Sequence, residues 1–244
     1  MERESEHLYA TIVDTKESSL LKDLSSSISA IYPNADLHVL LLGASGRQIR
    51  KLNIETKAAT FYSPNAIVPF YKYLILKLRL LFSSSRAIKG VFKPYFLLSL
   101  IQKQRKGVIL IDPDLKIKEP ISEVVNLLSV YDAVLFSNRF PMDPKISEKG
   151  FIKNFKRGFY TSSLIGFSKN AESVLKWWAM VCTYRCKDDK KRSLYYEQSY
   201  LNFIPVIFDK VKVMSSKFHV ITDDNSDYLV SDDKNEVVAE STLI

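Results

Sequence analysis

The chain has 244 residues, 46% of them hydrophobic and 25% charged, with 7 Gly, 9 Pro and 2 Cys. This excludes a disordered or collagen-like chain, fits one large α/β domain, and leaves stability to a buried core, since two cysteines cannot staple a fold of this size. The longest uncharged stretch, Ala58–Tyr71, is broken by Ser63, Pro64, Asn65 and Pro69 and is too short to span a bilayer, and the Met-Glu-Arg-Glu start is unlike a basic signal peptide.

The expectation is therefore a cytoplasmic protein with reduced thiols at Cys182 and Cys186, which lack nearby histidines for a zinc site. The net charge of +8 is uneven: seven acids and one lysine give the segment from Thr222 onward −6, and residues 1–221 carry +14. A basic body suits phosphate esters, nucleic acid or an anionic membrane, or simply keeps a surface soluble.

Taken in chain order, Leu8–Val13 reads as a buried strand and Ser18–Ile31 as a helix, with Leu20, Leu21, Leu24, Ile28 and Ile31 on one side. Leu37–Leu42 is a second strand, Gly43–Gly46 a turn, and Ala58–Phe61 a third strand ended by Ser63-Pro64-Asn65. Val68–Phe82 is a basic, apolar helix. It either lies on a membrane surface or, the preferred reading, packs on a sheet with its lysines snorkelling. Lys93-Pro94 opens a helix over Tyr95–Gln104, with proline suited to its first turn.

Gly107–Ile111 is the clearest strand, apolar throughout and ended by Asp112. Ile121–Val130 reads as a helix, Ala133–Ser137 as a strand, 138–158 as a long basic loop, and Thr161–Phe167 as a strand. Helices over Asn170–Cys186 and Tyr195–Phe203 and short strands at Lys210–Val213 and Phe218–Ile221 follow. Residues 222–244 read as an acidic hairpin or tail, truncated before a further strand, on a single catalytic domain of residues 1–221. Apolar strands alternating with helices predict a mostly parallel sheet covered on both faces, with ligands beyond the strands' carboxyl ends. Asp14, Gly43, Asp112–Asp114 and Asn138 stand there.

Asp112-Pro113-Asp114 ends the clearest strand, and Pro113 restricts the backbone of both itself and Asp112. Two carboxylates at a strand end suit a hard divalent cation whose open positions take substrate phosphates. Their plain reading is a turn after a strand.

The blocks around this tripeptide point further. Phe92-Lys93-Pro94-Tyr95-Phe96-Leu97-Leu98, Gly107–Leu115 and Glu119-Pro120-Ile121 resemble the central block of nucleotide-sugar-dependent glycosyltransferases of the GT-A fold. Phe159–Phe167 resembles that group's F-N-S-G-V-I-G-F strand, Trp177-Trp178 its W-W helix, and Glu197-Gln198-x-x-Leu201-Asn202 its D-Q-x-x-L-N motif. Lys217–Val220 lies where it has y-N-V, so ordered blocks cover residues 8–221.

The resemblance implies an α/β GT-A domain with a mixed, mostly parallel sheet. It further implies a metal-dependent glycosyltransferase that moves a sugar from a UDP or GDP sugar to a glycan, lipid or protein acceptor, as in polysaccharide biosynthesis. Asp112 would contact ribose or metal, and Asp114 would bind Mn²⁺ or Mg²⁺. Thr11, Val13 and Asp14 would border the base, Lys93 would serve the nucleotide side, and Glu197 would line the sugar or acceptor side as the catalytic carboxylate. Glu197 stands where the group has aspartate, and Ser162-Ser163 replace its N-S or S-G pair. The group's late metal-binding histidine has no clear counterpart among His7, His38 and His219. His219 is the candidate, and His38 reads as a core residue.

Three other readings compete. A GT-A domain that only binds nucleotide follows from the missing histidine strand. A sugar nucleotidyltransferase needs a glycine-rich loop after the first strand, where this chain has Asp14-Thr-Lys-Glu. A nucleic-acid binder lacks any recognition motif, so nucleic acid is not expected as a partner, whereas peripheral membrane association is compatible with the basic helix.

Overall fold

The computed structural model describes residues 7–44, 46–56, 59–138, 140–214, 218–220 and 236–239. The first half contains β1 (His7–Asp14), α1 (Ser18–Ile31), β2 (Leu37–Leu42), α2 (Gly46–Glu55), β3 (Ala59–Tyr62), α3 (Pro64–Ile67), α4 (Phe70–Arg79) and α5 (Ser85–Gln104). Then come β4 (Gly107–Ile111), β5 (Lys116–Ile117), α6 (Ser122–Leu127), β6 (Ala133–Ser137), α7 (Glu148–Arg157), β7 (Tyr160–Phe167) and α8 (Glu172–Tyr184). The chain continues through β8 (Asp188–Asp189), β9 (Leu194–Tyr195), a 3₁₀ helix (Gln198–Phe203), α9 (Ile204–Ile207), β10 (Val211–Met214), β11 (Phe218–Val220) and β12 (Glu236–Ala239).

Seven strands form the main sheet in the order β10-β6-β7-β4-β1-β2-β3. All run parallel except β7, which is antiparallel to both β4 and β6. The chain therefore winds outward from β1 through β2 and β3, then restarts at β4 on the other side. That reversal opens a crevice beyond the carboxyl ends of β1 and β4. Because β7 runs the other way, its amino-terminal end reaches this crevice.

Strand alternation divides the core between the two faces of the sheet. Leu8, Ala10 and Ile12 of β1, with Val108 and Leu110 of β4, meet α5 and α8, whose Phe96, Leu97 and Trp178 are fully buried. Tyr9, Val13, Ile109 and Ile111 face α1 and α6 through Leu21, Leu24, Ile28 and Val124. Burial on both faces is why these strands are apolar at every position.

Several elements differ from the sequence expectation. The α5 helix begins ten residues before Tyr95, at Ser85, where the Ser84 hydroxyl accepts from Ala87 N at 3.3 Å. Pro94 is thus mid-helix; its missing N–H is tolerated because Val91–Leu97 is buried against the sheet. The 138–158 segment is not all loop. It contains α7, capped by Ser147, whose hydroxyl accepts from Gly150 N at 3.1 Å. Helix α2 begins at the expected turn, and Tyr195–Phe203 is not one helix but the end of β9 followed by a turn and a 3₁₀ helix. In the tail, Tyr228–Val230 lies outside the described residues, while β12 pairs antiparallel with β11 and parallel with β5.

Helix α4 is packed only on one side. Leu76 is buried, with Tyr73 and Leu80 beside it against the core, while its opposite side faces solvent. Among the described residues no helix is long and apolar enough to cross a membrane.

Candidate active site

The crevice holds a cavity of about 330 Å³, and its walls come from β1, α1, α5, the β4 turn, β7 and the 3₁₀ helix. The turn after β4 closes by Leu115 N donating to Asp112 O at 3.1 Å, while Asp112 N donates to Ser163 O at 2.7 Å. The tripeptide is a turn after a strand, as its plain reading has it, and that turn brings Asp112 and Asp114 to one cavity.

At the floor lies a buried charge cluster. Lys93 Nζ stands 2.9 Å from Asp112 Oδ1 and 3.0 Å from Glu197 Oε1, and it also donates to Ser162 O at 3.1 Å. Burial alone would lower the lysine pKa, but the two carboxylates override it and hold the ammonium charged well above its usual range. Burial would likewise raise Glu197, yet Lys93, its own backbone N–H and the Ser162 hydroxyl (2.8 Å) keep its carboxyl below the usual range. Its Oε2 has no hydrogen-bond partner among the described residues and lodges against Gly90, where an added Cβ would come within 2.4 Å. Trp178 Nε1 donates to Glu197 O at 3.1 Å, and Tyr196 before it adopts a left-handed φ of 47°.

Asp114 sits at the mouth. Its tip is exposed, but it stands in a concave wall. Desolvation there, followed by the negative charge of Asp112, raises its carboxyl to about 6.

A break in the sheet shapes the inner wall. β7 pairs with β4 through Leu164, but against β6 its register jumps from Leu135↔Ile165 to Phe136↔Thr161. Ser162 and Ser163 thereby have no partner in the β6 register; Ser162 bonds to the cluster, and Ser163 lines the cavity. Gln198 Oε1 accepts from Ser162 N at 3.3 Å and its Nε2 donates to Arg157 O at 2.9 Å. Asn138 clasps the strand's entry: its N donates to Phe159 O at 2.8 Å and its Nδ2 to Gly158 O at 2.7 Å.

The structure brings Asp112, Asp114, Lys93 and Glu197 to one cavity. It does not bring Thr11 or Val13 there. Both are fully buried, and Val13 packs on the opposite core face, so Ile12 is the wall residue from β1. Asp14 does not line the cavity either. Its carboxylate accepts from Ser85 Oγ at 2.6 Å and Lys16 N at 2.8 Å, which outweigh burial and lower its pKa. It fastens β1 to the start of α5. The His219 side chain lies outside what is described; its backbone pairs with Val238. Buried His38 shares a hydrogen bond with the Tyr62 hydroxyl at 2.8 Å, in keeping with a core role. Cys182 and Cys186 are buried free thiols.

Sequence reasoning missed Arg86 and Lys89 as wall residues, whereas Asn138 stands at an expected strand end and Gln198 lay in the Glu197–Asn202 block without a role of its own. Arg86, Lys89 and Lys93 follow a three-then-four spacing, the signature of one helix face, once α5 is extended to Ser85. Lys89 pairs with Glu17 at the rim. Beside the cavity is a groove of about 780 Å³ lined by Lys149, Lys153, Lys156, Arg157 and Lys190, with Glu148 and Asp188. Tyr195 joins the two: the Arg157 guanidinium lies 3.9 Å from its ring centroid and that of Arg86 4.7 Å.

No protein-family model matches this sequence, and no curated protein does. Solved structures are similar. A galactosyltransferase, LgtC, in complex with donor and acceptor sugar analogs aligns over 91% of this chain and 78% of its own, at 13% identity and a TM-score of 0.60. Mouse xyloside xylosyltransferase 1 aligns over 85% and 84%, at 13% identity and a TM-score of 0.54. The bifunctional glycosyltransferase WbbM gives 13% identity and a TM-score of 0.50, with this chain covering 38% of its length. These likenesses show the fold: a GT-A α/β domain with a mixed, mostly parallel sheet flanked by helices.

Proposed function

We propose that this chain is a glycosyltransferase that moves a sugar from a nucleoside-diphosphate sugar of the UDP or GDP type to an acceptor hydroxyl. The catalytic unit is residues 1–221, with Mn²⁺ or Mg²⁺ held by Asp112 and Asp114. The observation that carries this reading is the convergence of both carboxylates, Lys93 and Glu197 on one cavity at the switch point of a GT-A sheet.

The donor set fits a hard divalent cation. Asp112 at the floor and Asp114 at the mouth line one cavity, and Asp114 is raised first by desolvation and then by the charge of Asp112, the second of which a cation would relieve. When bound, the metal supplies Lewis-acid neutralisation of the charge developing on the departing diphosphate. Arg86 and Lys89, at the rim, are placed to hold phosphate oxygens. Lys93 stays protonated and fixes the Asp112 and Glu197 carboxylates.

Glu197, held ionised, is the candidate catalytic carboxylate. It can accept a hydrogen bond from a sugar or acceptor hydroxyl and stabilise positive charge near the anomeric carbon. Ile12 and Leu20 offer apolar wall to the base, the role expected of Thr11 and Val13. The groove beyond Tyr195, with a surplus of cations, suits an acidic glycan or a phosphate-bearing acceptor.

The test is thermal stabilisation by UDP, GDP, CDP and their sugars, with and without Mn²⁺. A metal-dependent shift with one nucleotide, lost in Asp114→Ala, is expected. No shift with any nucleotide overturns the proposal. One observation favours a second reading, nucleotide binding without turnover: no third metal-ligating side chain joins the two aspartates among the described residues. Hydrolysis or transfer measured on the stabilising nucleotide sugar separates the two.

A further inference from the structure

We infer that α4 and the turn after it form a docking surface for an anionic lipid bilayer. Phe70, Tyr71, Leu74, Ile75, Leu78 and Phe82 are all exposed, with Phe70 73% and Phe82 97% accessible. At about 100° per residue Phe70, Tyr71, Leu74, Ile75 and Leu78 occupy one continuous arc of α4, opposite Tyr73 and Leu76, which pack on the core, and Phe82 stands in the turn that follows. Single exposed apolar residues are ordinary, but a contiguous stripe marks an interaction site.

The charges select the partner. Arg79 borders one edge of the arc and Lys77 the other, where long basic side chains would extend to lipid phosphates while the apolar arc enters the acyl boundary, and Lys72 on the Arg79 side rests with its ammonium 4.6 Å from the Tyr95 ring centroid. From Thr56 to Ile111 the sequence has ten lysines and arginines and not one acid. A second copy of this chain would set the same positive border against itself, so self-association is opposed by charge. An anionic bilayer matches both the apolar arc and its basic edges.

Docking would also place the cavity. The turn that carries Phe82 leads within four positions to Arg86, a cavity wall residue at the start of α5, so the docked segment and the cavity wall are joined by a short stretch of chain. The inference concerns the surface alone and holds whatever the cavity binds.

Flotation of the full chain with phosphatidylcholine vesicles, with or without one third phosphatidylglycerol, provides the test. Recovery with the anionic vesicles alone, falling as salt is raised, is expected. Leu74→Glu with Leu78→Glu is expected to reduce that recovery at least tenfold while the melting temperature stays unchanged. Tyr71→Trp, in turn, should show a blue-shifted emission only with anionic vesicles. Absence of anionic-vesicle binding at low salt, or unchanged binding by the double variant, overturns the inference. So does a salt-resistant dimer in sedimentation velocity that the double variant abolishes, which would assign the face to a second copy.

Discussion

The cavity floor and helix α4 invert the usual distribution of residues in opposite directions. At the floor, a lysine and a glutamate are almost wholly buried; on α4, phenylalanine and leucine face water. Neither arrangement serves the stability of the isolated chain. The floor is largely paired within the fold, because Lys93 bridges Asp112 and Glu197 and leaves one net negative charge and the Glu197 Oε2 unpartnered, whereas α4 has nothing among the described residues to cover it. The contrast separates a preorganised polar site, held within the fold, from a surface whose complement lies outside it.

The strongest way to break the contrast is to remove the buried cation. Lys93→Met leaves two carboxylates facing each other and is expected to destabilise the chain by about 3–5 kcal/mol in urea unfolding. Adding Glu197→Gln should recover part of that loss, a coupling a double-mutant cycle measures.

Gly90→Ala tests how tightly the floor is closed. The new methyl would meet Glu197 Oε2 at 2.4 Å and Cys186 Sγ at 2.7 Å. Despite alanine's better helix propensity, a loss of about 1–3 kcal/mol by denaturant melting is expected. On α4 the same measurement should register almost nothing: Leu78→Glu is expected to change stability by less than about 0.5 kcal/mol, because it vacates no core.

The smallest effect sharpens the comparison with a buried titratable group that forms no ion pair among the described residues. Burial holds the His38 pKa below its ordinary 6.5, the nearby charge of Asp36 opposing and that of Lys106 assisting. The unfolded chain therefore takes up the proton more readily, so the associated stability is present above pH 6.5 and lost as pH falls through it. Unfolding midpoints at pH 7.5 and pH 5 should differ less in His38→Leu than in the unaltered chain.

Much of this fold was legible in the sequence because of burial. β2, β4 and β6 match the expected boundaries, since strands covered on both faces are uninterrupted apolar runs, and α1 does too through its regular stripe. Helices α2 and α7 were missed because most of their positions are polar and only a few apolar residues anchor them. The reversal of β7 left no trace, because apolar alternation carries no direction.

At the candidate site, the strand-end position that brings Asp112 and Asp114 to one cavity was legible in the sequence. Lys93 was noticed only through its block, as no local sign distinguishes a lysine buried by two distant carboxylates. Ile12 displaced Thr11 and Val13 through the two-residue alternation of a strand, which a resemblance at the level of blocks does not resolve.

The asparagine at the end of β6 has a consequence for how such a protein can diversify. With one backbone and one side-chain amide, Asn138 fastens the two ends of a twenty-residue excursion together. The closure depends on the ends and not on what lies between them. The intervening stretch, α7 and its lysines included, is thus a closed excursion. It is tied further to the site at Arg157, where Gln198 Nε2 donates to its carbonyl and its guanidinium lies on Tyr195, so variation before Arg157 leaves the clasp in place.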